Sequence, residues 1–404
     1  MSDSTSGRAA VAATVAAAVF AAGGPALAAP DGEAFYQPPA FAAGEHGDPI
    51  WSAPLTGVAA LADAAVNERV LYRSESVHGE PIAVSGIIAL PRTPAPGHPV
   101  VSWAHGTLGS ADLCAPSRDT AESPAHPFNA DPQPVLNALL RAGYAVVMTD
   151  YEGLGTPGPH PYLLGESEAR GVLDIVRAAR ALHPELSARF ATFGHSQGGQ
   201  AALFAAHHAP TWTPELELVT AVATAPANNI AAGFQASLLA PVTNEGFAFH
   251  PLFVTGAVAA DPGIDPRAIF TDRAYELYLR DTESRCRVGL SEPDSWGGIR
   301  GTEIVRPEAL GGPDFAKLIA RLTATQPALP IAAPVRVVQG ADDPRVNPAG
   351  TAALVAQLRA INGPDRITEV TYEQSAPNPI SPHFGVLHTD TDPLLAWLAE
   401  RFDA

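Results

Sequence analysis

Residues 191–200 read ATFGHSQGGQ, and they place Ser196 among glycines at positions 194, 198 and 199. The preceding RFATF is typical of a β-strand, and the following QAALFAAHH is typical of a helix. A strand that passes straight into a helix crowds the turn, and Gly194 and Gly198 remove the side chains that would collide there. The stretch therefore predicts a tight elbow that exposes Ser196 at the carboxyl edge of a sheet. The alternative is a glycine-rich turn in which Ser196 caps the helix.

Strand-like and helix-like segments alternate along the chain on both sides of this elbow. Such alternation indicates a parallel sheet with crossover helices, and HGE at 78–80 marks a hairpin turn between the first two strands. Helical patterns cover 134–142, 166–181, 196–208 and 393–402. We predict an α/β fold with a mostly parallel sheet of about eight strands, at 69–77, 82–90, 99–104, 144–150, 189–193, 216–223, 335–339 and 367–372.

The composition is that of a packed, acidic globular protein. Of the 404 residues, 46% are hydrophobic and 16% charged, and the formal net charge is −18. Lys317 is the sole lysine, and the sequence has no basic cluster that could neutralise a phosphate backbone. Nucleic acid is therefore excluded as a partner, and the acidity is interpreted as a source of solubility.

The first 28 residues have the features of a signal peptide. One arginine precedes an apolar run over 9–22, and the small residues Ala26-Leu27-Ala28 follow. The run is too short to span a bilayer, so a permanent anchor is the weaker interpretation. No later segment has the length and apolarity of a membrane span. We expect a protein secreted after cleavage near Ala28.

A serine hydroxyl becomes a good nucleophile when a histidine takes its proton and an acid orients that histidine. In the α/β-hydrolase chain order both partners follow the serine, so they should lie downstream of Ser196. The predicted strand 335–339 is followed by GADDPRV, a turn at the carboxyl edge of the sheet. Asp343 fits the G-x-x-D-x-x-V spacing, and Asp342 comes one residue early. We predict Asp343 as the acid; the alternative is that both aspartates cap a turn.

Two histidines follow the last predicted strand. His383 lies in SPHFG, in a loop rich in proline, serine and asparagine, and His388 lies in VLHTD, nearer the C-terminal helix. We predict His383 as the base and a structural role for His388.

An oxyanion formed during attack needs hydrogen-bond donors. The backbone N–H of Gln197 is predicted as one donor, because it follows Ser196 at the start of the helix. For the second, two glycine-containing loops compete, WAHGTLG at 103–109 and DYEGLG at 150–155. Each could also be an ordinary tight turn between strand and helix.

Several motifs together resemble the microbial secretory lipases of the α/β-hydrolase superfamily. The resemblance covers about residues 45–402. It rests on WAHGTLG, CAP at 114–116, TDYEGLG, PYLLGESEARGVLD, GHSQGGQAALFAA, QGADDPRVNP and LLAWLAERF.

The resemblance implies an exported serine esterase that cleaves acylglycerols or other carboxylic esters, with Ser196, Asp343 and His383 as the triad. It also implies that Asp150 contributes to the oxyanion hole, which favours DYEGLG over HGTLG. The family's histidine is usually followed by two glycines, whereas Phe384 follows His383 here.

The predicted strands 216–223 and 335–339 are separated by more than a hundred residues, too many for an ordinary connection. We expect an insertion at 226–330, named here the cap segment, between core parts at 67–225 and 331–404, with an N-terminal extension at 29–66. In an oxidising compartment Cys114 and Cys286 are expected to form a disulfide between the cap segment and the core. Seven apolar residues could line an acyl pocket or form the core of the cap segment itself: Phe234, Leu238, Leu239, Phe247, Phe249, Leu252 and Phe253.

The leading hypothesis is hydrolysis of a small-molecule or lipid ester through an acyl-serine intermediate. Acyl transfer to another alcohol, or cleavage of a polyester or polysaccharide ester, would use the same triad. A noncatalytic binding protein on the same scaffold is the alternative of a different class. No motif implies a metal or an organic cofactor.

Overall fold

The computed structural model describes residues 28–39, 44–93 and 97–404. The predicted signal peptide lies outside these ranges except for Ala28. Within them, no helix combines the length and the apolar character needed to cross a membrane.

A nine-stranded sheet forms the centre of the molecule, in the order β1-β2-β3-β5-β4-β6-β7-β8-β9. The pairs β1–β2, β2–β3 and β3–β5 are antiparallel, and the remaining pairs are parallel. The strands are β1 Pro49–Pro54, β2 Ala64–Glu75, β3 Pro81–Pro91, β4 Val100–Ala104, β5 Ala145–Thr149, β6 Arg189–His195, β7 Glu217–Thr224, β8 Val335–Gly340 and β9 Ile367–Tyr372. The predicted α/β-hydrolase sheet is confirmed.

Helices cover both faces of this sheet and fill the connection between β7 and β8. The α-helices are α1 His126–Ala130, α2 Gln133–Arg141, α3 Gly165–Leu182, α4 Gln197–Trp212, α5 Ile230–Ser237, α6 Phe249–Ala260, α7 Pro266–Ile269, α8 Asp272–Asp281, α9 Arg287–Leu290, α10 Pro313–Ala324, α11 Pro348–Asn362, α12 Pro382–Thr389 and α13 Thr391–Asp403. Short 3₁₀ turns lie at Gly32–Tyr36, Gly57–Ala59, Asp112–Cys114, Pro116–Arg118, Glu245–Ala248, Trp296–Gly298, Gly301–Glu303, Pro307–Ala309 and Pro364–Arg366.

The first strand was not predicted from the sequence. β1 pairs with β2 at the edge of the sheet, within the residues interpreted as an extension. Its sequence PIWSAP has a proline at each end, which reads as a loop, but proline is tolerated on an edge strand. Ile50 and Trp51 pack with Phe35 in a small apolar cluster. The sheet therefore gains a strand beyond the eight predicted.

Two apolar layers enclose the sheet. On one face, the stripe of α3 predicted from its helical spacing is fully buried, including Val172, Leu173, Ile175 and Val176. On the other face, α2 and α13 pack on side chains from β4 to β7. Burial on both faces explains the near-continuous apolar runs of these strands.

The cap segment holds α5 to α10 and has an apolar cluster of its own. It packs over the carboxyl edge of the sheet, and the backbones approach closely at Gly256 of α6. A Cβ atom on Gly256 would lie 2.3 Å from the carbonyl oxygen of Tyr162, in the connection between β5 and α3. Helix α6 therefore packs directly against the connection between β5 and α3.

Candidate active site

Ser196 lies in the turn between β6 and α4 with φ 60° and ψ −119°. A non-glycine residue with positive φ costs of order 1–3 kcal/mol and persists when its surroundings hold it. Two backbone hydrogen bonds do so: the Ser196 N–H donates to the Thr224 carbonyl at 2.9 Å, and the Ser196 carbonyl accepts from the Ala227 N–H at 3.0 Å. The serine is thereby fixed against the end of β7.

The flanking glycines are required by contact with the backbone. A Cβ at Gly194 would lie 2.0 Å from the Gly198 carbonyl oxygen, and a Cβ at Gly198 would lie 1.8 Å from the Ala104 carbonyl oxygen. Real side chains do not approach backbone so closely. The collisions expected from the sequence therefore exist at both positions, and they are with the turn itself and with the end of β4.

His383 and Asp343 form a buried pair beside this elbow. The His383 Nδ1 lies 2.7 Å from the Asp343 Oδ2, and both side chains are almost completely buried. The Asp343 Oδ1 accepts the backbone N–H groups of Arg345 and Val346 at 2.8 and 3.0 Å. Burial opposes ionisation, but the hydrogen bond and charge of His383 and the two N–H donors outweigh it and lower the pKa of Asp343.

Ser196 and His383 line one cavity, with Asp343 directly behind His383. The strands explain this meeting: β6 ends just before Ser196, β8 ends just before Asp343, and the loop after β9 leads into α12, which carries His383. Carboxyl ends of parallel strands share one edge, so residues far apart in sequence meet there. The structure brings the three predicted triad residues together.

The competing residues lie elsewhere. Asp342 is exposed, and its carboxylate accepts the N–H and hydroxyl of Ser375. His388 is directed towards Asp131, with 3.4 Å between Nε2 and Oδ1. Neither lines the cavity that contains Ser196.

Phe384, which replaces the usual glycine, packs between two rings. Its ring centroid lies 5.2 Å from that of Phe128 and 5.1 Å from that of His195. His195 in turn brings its Nε2 to 2.8 Å from the His383 carbonyl oxygen. The phenylalanine and His195 therefore support the backbone that carries His383.

Gln197 is the first residue of α4, so its backbone N–H has no partner within the helix. Its side chain donates to the Glu168 Oε1 at 2.7 Å. Burial raises the pKa of the Glu168 carboxyl to about 8, against the opposing effect of the Gln197 and Leu163 donors. Glu168 was not predicted as a site residue from the sequence, although a glutamate among the apolar positions of α3 indicates a buried carboxyl group.

Asp150 does not have the geometry expected of an oxyanion donor. Its backbone N–H donates to the Ser85 carbonyl at 2.8 Å, and its buried carboxylate accepts hydrogen bonds from the Ser85 and Ser117 hydroxyls. It does not line the cavity, whereas Gly106 and Thr107 of the HGTLG loop do. The Asp150 N–H is thus already used to continue the sheet.

Gly106 comes close to the nucleophile. A Cβ at Gly106 would lie 3.6 Å from the Ser196 Cβ. The next residue, Thr107, is held by its hydroxyl, 2.7 Å from the Tyr162 hydroxyl. The structure thus places the HGTLG loop, rather than DYEGLG, beside Ser196.

The cavity has a volume of about 880 Å³ and lies between the sheet edge and the cap segment. Both interpretations of the seven apolar residues hold in part. Leu252 is buried in the core of the cap segment and Leu238 packs against it, whereas Leu239 is 79% exposed and belongs to neither group. The cavity is lined by Phe234, Phe247, Phe249 and Phe253, of which Phe234 and Phe247 are also part of that core.

Cys114 and Cys286 form a disulfide between the loop after β4 and the cap segment, with 5.5 Å between their Cα atoms. The junction is reinforced by the Arg287 N–H, which donates to the Leu108 carbonyl at 2.7 Å. Among the described residues, no group of three or more histidine, cysteine, aspartate or glutamate side chains is arranged to hold a metal ion.

Comparison with known proteins places this site in a family context. The secretory lipase family model matches residues 130–265. Lipase A of Moesziomyces aphidis is 27% identical over 165 residues, which are 40% of this chain and 35% of that protein. A Mycobacterium tuberculosis protein named as a probable inactive lipase is 27% identical over 173 residues, 41% and 38% of the two chains. The alignments span little more than a third of these relatives.

Solved structures match over much more of the chain. Candida antarctica lipase A in its closed state has a TM-score of 0.73 at 21% identity, over 89% of this chain and 83% of that one. The rice cell wall degrading esterase LipA of Xanthomonas oryzae has a TM-score of 0.70 at 17% identity, over 89% and 98%. These structures show that the chain has the α/β-hydrolase fold. The predicted resemblance to the secretory lipases is confirmed by the family model over residues 130–265.

Proposed function

We propose that this protein is a secreted carboxylic ester hydrolase that acts through an acyl-serine intermediate. The observation that carries the proposal is the buried His383–Asp343 pair, which opens onto the same cavity as Ser196 at its strained elbow. These are the parts that activate a serine hydroxyl. Cleavage near Ala28 and the division at 226–330 remain part of the proposal.

In the first half of the reaction, the Ser196 hydroxyl attacks the ester carbonyl and His383 takes its proton. Asp343 holds the imidazole with Nδ1 protonated, so that Nε2 is the basic nitrogen. The depressed pKa of Asp343 keeps its carboxylate charged, which stabilises the imidazolium that forms. His383 then gives the proton to the leaving alcohol. In the second half, His383 takes a proton from water and the resulting hydroxide attacks the acyl carbon. His383 then returns the proton to the Ser196 oxygen as the carboxylic acid is released.

The negative oxygen formed in both halves needs donors. We assign the role of oxyanion donor to the backbone N–H of Gln197 and to a backbone N–H of Gly106 or Thr107, in place of Asp150. The Gln197–Glu168 hydrogen bond and the Thr107–Tyr162 hydrogen bond hold the two sides of this site. Preorganised donors of this kind are worth about 3–4 kcal/mol each in the transition state.

The substrate class follows from the cavity. Four phenylalanines from the cap segment line it, and apolar walls of this size favour an ester with an apolar acyl chain or alcohol. An acylglycerol fits this description. Acyl transfer and cleavage of a polymeric ester use the same residues and are outcomes of the test below.

The test is hydrolysis of para-nitrophenyl esters from acetate to palmitate by the mature protein. Ser196→Ala is expected to abolish release of nitrophenol, with a loss of about a millionfold in kcat when the nucleophile is removed. Exposed Ser284→Ala is a matched control and should leave the rate unchanged. Folded wild-type protein that is inert on the whole series, with and without an added acceptor alcohol, would contradict the proposal and favour a binding role.

A further inference from the structure

Two arginines line the cavity without an acidic partner. Arg287 is only 4% exposed, and its Nε is buried with no hydrogen-bond partner. Neither the Arg287 nor the Arg345 guanidinium has a hydrogen bond or an ion pair with any described residue. Buried charges are normally paired, because an unpaired charge loses its hydration without compensation. An anion bound between the two guanidinium groups would compensate their charges.

The two guanidinium groups lie around one aromatic ring. Their central carbons are 5.6 and 5.8 Å from the Phe128 ring centroid. Arg287 also lies 4.9 Å from the ring of Phe249, and Arg345 lies 5.3 Å from that of Phe384. The rings hold both side chains in place but cannot neutralise them.

The charges around this pair do not cancel it. Burial, with the charge of Arg345 adding to it, lowers the pKa of Arg287 to about 10, so the group stays protonated at neutral pH. Glu245 favours the charge of both arginines, but it is exposed and forms no ion pair with either. Asp343 favours the charge of Arg345, but its carboxylate is bound to His383. A positive site therefore persists in a protein whose formal net charge is −18.

The pair lies at the catalytic end of the cavity. The Arg345 backbone N–H donates to Asp343, and Phe384, which Arg345 contacts, follows His383. On the other side, Arg287 interacts electrostatically with Tyr162, whose hydroxyl bonds Thr107 beside Ser196. A molecule that reaches Ser196 is therefore within the field of both arginines.

We propose that Arg287 and Arg345 form an anion-binding subsite, and that the preferred substrate is an ester that carries a free carboxylate as well as the ester bond. This inference rests on the proposed esterase function and names its substrate class. Arginine forks bind carboxylates through two parallel hydrogen bonds. The apolar walls hold the chain of the substrate, and the two arginines hold its charged end.

The first experiment compares matched esters with wild-type protein. Monomethyl suberate against methyl octanoate places the carboxylate on the acyl side, and 4-acetoxybenzoate against 4-methylphenyl acetate places it on the alcohol side. The subsite should raise kcat/KM for the charged member of at least one pair by about tenfold or more. The pair that responds identifies the side of the ester that carries the anion.

Arg287→Met and Arg345→Met keep most of the apolar stem and remove the charge. Each should lower the charged-to-neutral ratio of kcat/KM by about tenfold. Arg366→Met, at an exposed site before β9, removes the same charge from the surface and should leave the ratio unchanged. If one cavity variant does not fold, as judged by circular dichroism, the other carries the test.

Binding to Ser196→Ala separates this inference from the esterase proposal. Calorimetry should detect monomethyl suberate or 4-acetoxybenzoate, with affinity reduced about tenfold when Arg287→Met is added. Hydrolysis of neutral esters without a charged preference and without charge-dependent binding overturns the subsite and leaves the esterase proposal intact. Charge-dependent binding without hydrolysis of any ester supports the subsite and contradicts the esterase proposal.

Discussion

At the scale of single residues, the site depends on two positions that have no Cβ atom. Ser196 has a positive φ where β4, β6 and α4 meet, and the backbones at Gly194 and Gly198 leave no space for a methyl group. The strained backbone of Ser196 and the close approach of the backbones at the two glycines occur in the same tightly packed turn. A substitution at the elbow must therefore act on folding as well as on activity.

Replacement of Gly198 by alanine should destabilise the protein by more than 3 kcal/mol, because the new Cβ would lie 1.8 Å from the Ala104 carbonyl oxygen. Gly233→Ala is the control. It places a methyl group in open space on α5, where alanine is about 0.5–1 kcal/mol better than glycine. Urea unfolding measures both. Equal stability of the two variants would show that the elbow can relax.

Glu168→Gln should change how stability depends on pH. The folded carboxyl has a raised pKa of about 8, above its value in the unfolded chain. Its contribution is therefore full below about pH 4.5 and is lost as pH rises towards 8. Relative to wild type, the variant should gain up to about 1.4 kcal/mol per pH unit across that window.

Urea unfolding at about pH 5 and pH 9 would measure this gain for Glu168→Gln. Glu166→Gln, an exposed neighbour on the same helix, should show no such trend. A constant difference between wild type and Glu168→Gln at the two pH values would contradict a buried, protonated Glu168.

At the scale of elements, the sequence predicted those features that depend on local patterns of residues. The sequence predicted the alternation of strands and helices and the elbow at Ser196, because hydrophobic periodicity and turn residues are local properties. It also predicted Asp343 and His383 from their positions along the chain. The family resemblance agreed with them on the triad. β1 was missed because edge pairing is a long-range property, and a proline-bounded run gives no local sign of it.

The proposal of Gly106 or Thr107 in place of Asp150 also depends on long-range structure. Two glycine-containing loops were candidates for the second oxyanion donor, and the resemblance favoured DYEGLG. Only the register of β3 with β5 determines that the Asp150 N–H donates to Ser85. Likewise, the Arg287 guanidinium lacks an acidic partner because of the elements that surround it in the fold, and no local pattern in the sequence predicts this.

The elements that carry the acid and the base are joined by a buried ion pair. Both Arg336 guanidinium ends, on β8, donate to Asp390 at the junction of α12 and α13, and the Tyr372 hydroxyl donates to Asp390 at 2.7 Å. The charge and hydrogen bonds of Asp390 raise the pKa of Arg336 although burial opposes this. The pair therefore fixes Asp343, at the end of β8, relative to His383.

Asp390→Asn should cost about 3–5 kcal/mol of stability, because it leaves the Arg336 charge buried without a counterion. The ester hydrolysis rate should fall with it, as the distance between Asp343 and His383 is no longer held. Urea unfolding and kcat are the measurements. Asp365→Asn, on the exposed turn before β9, is the matched control, and a similar small loss in both variants would reject this role.

At the scale of the whole molecule, buried histidines make the fold sensitive to acid. Burial lowers the pKa of His105, His160 and His250 to about 4 and lowers that of His195 still more clearly. Each contributes stability that is full above about pH 6.5 and is lost as pH falls towards 4. Five carboxyl groups with raised pKa values act in the opposite direction: Asp112, Asp150, Glu152, Glu168 and Asp174.

The part of the free energy of unfolding that the buried imidazoles contribute should therefore fall between about pH 6.5 and 4, and urea unfolding of wild type and a variant at several pH values measures it. His250→Gln should flatten this fall by up to about 1.4 kcal/mol per pH unit, since it removes one buried imidazole. His78→Gln, at an exposed position, should leave the slope unchanged. An unaltered slope in His250→Gln would mean that this imidazole is charged in the folded protein.

The disulfide joins residues that are 172 positions apart, and this separation orders events during biosynthesis. Cys114 belongs to the loop that follows the HGTLG segment and is synthesised early, yet its partner emerges only after most of the cap segment. Until then the wall of the cavity beside Ser196 has no covalent support. Ser196 is therefore synthesised before the bridge beside it can close, and closure of the bridge requires an oxidising compartment.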